Sequence, residues 1–143
     1  MTASLLVGID GSEYAERAAD FAAEHAKRVS ADLHLVGVIE WSNYSFLTPE
    51  ELETRHKDRK EEEESANKVL RPIQERLAQD GLNVQASVYF GHAAKVLKEV
   101  AEEKGASQIF IGRHGRSRFE TALFGSVTNK ILQLAPVPVT VVP

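Results

Sequence analysis

Residues 4–12, Ser4-Leu-Leu-Val-Gly-Ile-Asp10-Gly-Ser12, set the frame in which the rest of the chain is read. From Leu5 to Ile9 there is no polar residue. Unbroken apolarity over this length is the pattern of a strand covered on both faces, as in a parallel sheet. Asp10-Gly11-Ser12 ends the run, and Ser12 is a good N-cap. Ala15, Ala18, Ala19, Ala22, Ala23 and Ala26 then recur at helical spacing, with Phe21 and Val29 extending the stripe. So many alanines on one face predict a helix lying close against a sheet.

The strand-then-helix unit repeats outward from there. Residues 32–39 read as a second strand, and residues 41–48 as a loop with aromatic content. Thr48-Pro49-Glu50-Glu51 starts a helix: a capping residue, a proline in the first turn, then acids at the positive helix end. That helix is expected to run to about Gln79 and stop at Asp80-Gly81. Its early part is polar; Val69, Leu70, Ile73 and Leu77 have the spacing needed to dock. Pro72 introduces a potential kink. Residues 83–90 form a third strand, and Gly91 the turn out. Residues 92–104 form a helix with Ala93, Val96, Leu97, Val100 and Ala101 on one face, closed by Gly105. Residues 108–112 are a fourth strand. A glycine- and arginine-rich loop, a helix over 126–134 and a fifth strand over 136–143 follow. The prolines of that last strand point to a sheet edge. Strict alternation predicts an α/β, Rossmann-like fold: a doubly wound parallel sheet of five strands with helices on both faces. With no linker or repeat in sight, residues 1–143 read as a single domain. In such sheets ligands bind beyond the carboxyl ends of the strands, at the switch point.

Composition excludes several function classes. Hydrophobic residues make up 43% and charged residues 27%, with a net charge of -4. This is the balance of a soluble globular domain, and its acidity argues against wrapping nucleic acid. The absence of cysteine excludes disulfide scaffolds, thiol catalysis and Cys-based metal sites. No apolar run approaches the roughly 20 residues that span a bilayer, and the N-terminus lacks a signal-peptide pattern. A cytoplasmic location without membrane insertion is expected. The charge is uneven: residues 50–64 carry eight acids and four bases, whereas residues 105–143 carry four bases and one acid.

The chemistry concentrates in residues 111–127, Ile111-Gly-Arg-His-Gly115-Arg-Ser-Arg-Phe-Glu-Thr-Ala-Leu-Phe-Gly125-Ser-Val127. Gly112 and Gly115 sit where the fourth strand ends. Glycines there permit positive φ and let main-chain amides come close to a bound group. Gly125-Ser126 opens the next helix, whose free N–H groups and positive dipole end suit an anion. Arg113, Arg116 and Arg118 add positive charge. The same pattern also fits ordinary turns and a helix cap. It is neither a P-loop nor a dinucleotide fingerprint.

Three stretches give the chain a specific likeness: Val7-Gly-Ile-Asp10-Gly-Ser12, Gly91-His-Ala93, and Gly112-x2-Gly115-x9-Gly125-Ser126 leading to Ala135-Pro-Val-Pro-Val139. On these the chain resembles the universal stress protein family over essentially its full length, and in particular its ATP-binding branch. The resemblance implies strand order 3-2-1-4-5. It implies an ATP site, with Mg²⁺, in which Gly8, Ile9 and Asp10 border the adenosine and Val38 meets adenine. Ile111 would also belong to the site; Gly112, Arg113 and Gly115 would line ribose and phosphates, and Gly125, Ser126 and Val127 would receive the phosphates. It further implies a homodimer through the C-terminal strand, with higher oligomers and a regulated protein partner such as a transporter open. Arg113 replaces a residue usually small and hydroxylic, Arg118 a frequent glycine and Phe119 a frequent leucine.

Asp10 has a second reading as a turn carboxylate. A carboxylate near phosphates can also meet Mg²⁺ through water. The five histidines show no metal-ligand spacing; only His114, inside the glycine loop, is a functional candidate by position. The G-x-S-x-G elbow is missing and no acid–base pair is readable, so no residue is assigned to catalysis. A binding, regulatory protein of stress physiology is expected, with a weak ATPase or autophosphorylating enzyme as the alternative.

Overall fold

The Ser12 side chain accepts a hydrogen bond from the Ala15 N–H at 3.1 Å, and from that cap α1 runs over Glu13–Val29. The computed structural model describes residues 2–40, 48–115 and 125–143, except the side chains of residues 52, 55 and 56. Before α1 comes β1 (Ser4–Ile9). After it come β2 (Asp32–Ile39), α2 (Pro49–Ala78), β3 (Val84–Phe90), α3 (Ala93–Lys104), β4 (Ala106–Gly112), α4 (Ser126–Leu134) and β5 (Val139–Val142). Residues 41–47 of the loop expected over 41–48, and most of the arginine-rich loop, including Arg116, Arg118 and Phe119, lie outside the described residues.

The five strands form one sheet in the order β3-β2-β1-β4-β5, and every pairing is parallel. The chain winds outward from β1 to β3, then returns to the other side of β1 as β4. The switch point therefore lies between the carboxyl ends of β1 and β4. Helices cover both faces. On one, the alanines of α1 and Leu70, Ile73 and Leu77 of α2 pack against Leu5, Val7, Leu33, Leu35 and Phe110. On the other, Val96, Leu97, Val100 and Ala101 of α3 and Ile131 of α4 pack against Leu6, Val36, Ile109 and Ile111. Among the described residues, no helix is long and apolar enough to cross a membrane.

Three expectations need correction. Phe21 and Val29 continue the helical period but are about half exposed, at 49% and 48%. Alanine brings the helix axis so near the sheet that a ring at Phe21 fits only at the flank, where it touches the Phe110 ring at a centroid distance of 6.2 Å. Val69 is also exposed, beside the buried Leu70. The last strand is shorter than expected, four residues rather than eight, because Pro136 and Pro138 have no N–H to pair. It lies at the sheet edge, as its prolines indicate. Thr48 and Glu51 form the full capping box of α2, with bonds of 3.2 and 2.9 Å, and Pro72 lies inside the helix without ending it.

Candidate functional site

At the carboxyl ends of β1, β2 and β4 a cavity of about 330 Å³ opens between the sheet, α3 and the start of α4. Gly8, Ile9, Asp10, Val38, Ile111, Gly112, Gly115, Gly125, Ser126 and Val127 all line it. The fold thus brings together residues from positions 8 to 127 of the chain. Arg113 is not among the lining residues. Its guanidinium lies 5.9 Å from the Tyr14 ring centroid, and Arg17 approaches the same ring at 4.6 Å.

The main chain of Arg113 is nevertheless central. Its N–H donates to the Val142 carbonyl of β5 at 2.9 Å, and its carbonyl accepts from the Gly125 N–H at 2.9 Å. One residue therefore ties the end of β4 to β5 on one side and to the N-cap of α4 on the other. The buried Thr128 hydroxyl adds a bond to the Gly112 carbonyl at 2.8 Å. These contacts aim the first turn of α4 into the cavity. Its N-cap, Gly125, has no side chain to accept from that turn. The N-terminal N–H groups of a helix capped in this way remain available to an anion.

The glycines serve packing rather than unusual dihedrals. Positive φ occurs at Gly11, Gly81, Gly91 and Gly105, not at Gly112, Gly115 or Gly125. A Cβ on Gly115 would come within 2.8 Å of Asp10 Oδ2, and one on Gly125 within 3.2 Å of the Gly115 nitrogen. Small residues are needed here because the strand end, the loop and the helix cap meet with no space between them.

Asp10 closes a turn and also lines the cavity. Its Oδ1 accepts from the Ser12 N–H at 2.9 Å and from the Ser12 hydroxyl at 2.5 Å, closing the turn into α1. Its Oδ2 faces Gly115 on the cavity side. His114 lines the cavity and meets Tyr14 edge-on, with centroids 5.4 Å apart.

Glu40 is a lining residue that sequence reasoning missed. It stands one residue beyond β2, and its Oε1 accepts from the Ala93 N–H at 3.2 Å. His92, the formal N-cap of α3, makes no side-chain bond there. Glu40 thus caps a helix that begins 53 positions downstream, a relation no local pattern displays. The cavity's described side chains include two carboxylates, Asp10 and Glu40, and no lysine or arginine.

Against known proteins, the match runs over residues 1–143 to the universal stress protein family. The chain belongs to this family. The universal stress protein YxiE of Bacillus subtilis is 31% identical over 147 residues, covering 96% of this chain and 97% of that protein. The universal stress protein UspA of Lactobacillus plantarum shares the fold with a TM-score of 0.88 at 24% identity, over 99% of this chain and 97% of that one. A universal stress protein solved in complex with cAMP superposes with a TM-score of 0.70 at 23% identity, covering 99% and 96% of the two chains. The Archaeoglobus fulgidus protein in complex with dAMP does so at 0.68 and 19%, covering 100% and 98%. In this universal stress protein the cavity at the switch point is where the site residues expected from the family pattern converge, with Arg113 turned aside.

Proposed function

We propose that this universal stress protein binds ATP in the cavity between β1, β4 and the start of α4, and acts as a nucleotide-dependent regulator. The observation that carries the reading is the first turn of α4. It opens into the cavity under a glycine cap that leaves its N–H groups to a ligand, with the Ser126 hydroxyl beside them. The apolar walls from Val36, Val38 and Leu97 suit a nucleoside. Relatives of the same fold are described in complex with cAMP and dAMP, which favours an adenine nucleotide.

Mg²⁺ would accompany ATP. Among the described residues no group of three His, Asp or Glu side chains could hold a metal ion alone. The ion would be carried by phosphate oxygens and water, with Asp10 as the nearest protein carboxylate, a usual arrangement for this cation. Its chemistry there is charge neutralisation, which matters because the described lining has no cationic side chain of its own. Gly115 and Gly125 allow the main chain to approach the phosphates, and Ser126 donates to them.

The reading extends to assembly. β5 is an edge strand, and pairing with its copy across a two-fold would cover that edge and form a homodimer. Nucleotide occupancy at α4 would then be read by a protein partner in the cytoplasm through the order of the loop or the state of this edge. The test is the melting midpoint with ATP and Mg²⁺. A rise with ligand concentration supports the reading; no shift at millimolar ATP, with no nucleotide extracted from the purified protein, refutes it.

A further inference from the structure

β3 is the other edge of the sheet, opposite β5. An edge strand invites a further strand unless it is short, charged or interrupted by proline. β5 is short and flanked by prolines. β3 uses none of these devices: Val84–Phe90 is seven residues without a charge or a proline. Its pairing with β2 fixes which main-chain groups look outward. The Leu33 N–H donates to the Asn83 carbonyl at 2.9 Å, and the Gly91 N–H to the Ile39 carbonyl at 3.0 Å. By alternation, the odd-numbered residues from 83 to 91 face β2, while Val84, Ala86 and Val88 turn to the open side. The Gln74 side chain agrees with this, donating to the Val84 carbonyl at 3.0 Å. It closes the first outward carbonyl. Among the described residues, nothing bonds to the outward N–H and C=O groups of Ala86 and Val88.

The wall beside that edge is cationic, although the chain is acidic as a whole. Lys60, Glu63, Asn67, Arg71 and Gln74 recur at intervals of three and four on α2, so they share one face of the helix. Gln74 reaches β3, and Lys60 and Glu63 line a groove of about 520 Å³ against Val88, Tyr89 and Phe90. That face therefore runs along the edge of β3. Arg59 lines the same groove, its guanidinium 4.2 Å from the Phe90 ring centroid. Arg59, Lys60 and Arg71 thus stand against one carboxylate, Glu63. We infer that the β3 edge is a docking site for an extended segment of another protein, added to the sheet as a further strand, with acidic side chains turned toward Lys60 and Arg71. Main-chain bonds to Ala86 and Val88 supply the affinity, and the cationic wall supplies the selectivity. A second copy of this chain fits less well. Its own open-edged strands, β3 and β5, carry no charge to offer the wall.

The test uses nucleotide-free protein and a fluorescent heptapeptide of alternating threonine and glutamate, which places every glutamate on one face of an extended chain. Saturable binding is expected below about 1 mM, with the same peptide carrying lysine for glutamate at least about tenfold weaker. Amide hydrogen exchange read by NMR locates the contact. The Ala86 and Val88 N–H groups should exchange fast in the free protein and slowly in the complex. Val88→Pro removes an outward donor and no bond to β2, so it should stay folded and weaken the peptide by about tenfold. If that variant folds poorly, Lys60→Glu combined with Arg71→Glu, both at exposed positions, decides alone: it should reverse the preference between the two peptides. No saturation at millimolar glutamate peptide overturns the inference. So does equal affinity for the lysine peptide, binding that leaves exchange at Ala86 and Val88 unchanged, or a preference that survives the charge reversal. Protection of these amides in the free protein overturns it too. Protection that grows with protein concentration assigns the edge to a second copy; constant protection assigns it to the chain itself. Each of these results leaves the nucleotide reading standing.

Discussion

Gly112 lies against Tyr14 so closely that a Cβ on the glycine would sit 2.7 Å from the tyrosine Cβ and 2.9 Å from its carbonyl carbon. The obstacle is the first turn of a helix, not the end of a flexible side chain. Glycine at the end of β4 is therefore demanded by the core before any ligand is considered. Gly112→Ala is expected to cost about 1–3 kcal/mol through overpacking. Urea denaturation without nucleotide reads it directly, and a stability equal to that of the unaltered protein would show that α1 gives way easily.

Ser126 presents the opposite case. It is part of the cavity lining, at the first position of α4, and its cap is Gly125. Ser126→Ala should weaken ATP by about tenfold, as expected for a hydrogen bond to a charged group, and leave the nucleotide-free melting midpoint unchanged. Calorimetric titration of the two proteins checks this. An affinity untouched by the change would move the phosphates away from α4.

Thr128 separates support from contact. Its hydroxyl is buried and bonded to the Gly112 carbonyl. Thr128→Val leaves that carbonyl without its partner, at a cost of about 1–3 kcal/mol. Thr128→Ser should restore most of the loss. Equilibrium unfolding of the three proteins reads the difference.

His34 makes stability depend on pH. It is buried on β2 with its Nε2 at 3.1 Å from the Ser87 hydroxyl. Burial pushes the imidazole below its ordinary value of 6.5, and the nearby Lys104 charge acts in the same direction. The folded protein therefore favours the neutral ring. Its contribution is fully present above about pH 6.5 and is lost as the pH falls from there through the lower folded value. Unfolding free energy measured from pH 7.5 to 5 should decline less in His34→Gln than in the unaltered protein. Parallel curves would assign the decline to other groups.

The proposed dimer has a clean probe. The Pro138 and Val142 carbonyls accept from the Ile109 and Arg113 N–H groups of the adjoining chain segment. By alternation, the main-chain groups of Val139 and Val141 face the open edge. Val141→Pro removes an outward donor without breaking an inward bond. Sedimentation should then show monomer where the unaltered protein shows dimer; an unchanged dimer would place the interface elsewhere.

The fold could be read from the chain because its signals are local. Apolar runs, the Ser12 and Thr48 caps and the terminating Gly105 each act within a few residues, and their alternation leaves few ways to wind the sheet. The converging glycines were readable for the same reason, as a motif of fixed spacing. What was not readable depends on separations that pattern does not encode. Phe21 obeys the helical period yet overhangs the sheet, because the alanines bring the helix too near to admit it. Glu40 acts on a helix that begins 53 positions away. Gly112 has the identity expected of a ligand contact, but its tightest constraint is Tyr14, across the sheet's end. Arg113 has the charge expected of a phosphate ligand, but its side chain turns to Tyr14 and its main chain does the joining.

That last arrangement bears on how the position can vary over evolutionary time. Both bonds that Arg113 makes between β5 and α4 come from its amide and its carbonyl, which nineteen of the twenty amino acids can supply equally. Only proline, lacking the N–H, is barred. The two main-chain bonds therefore place little constraint on the residue type at this position. Replacing its amide by an ester, which removes the N–H and keeps the side chain, would expose the mechanical duty of that N–H directly.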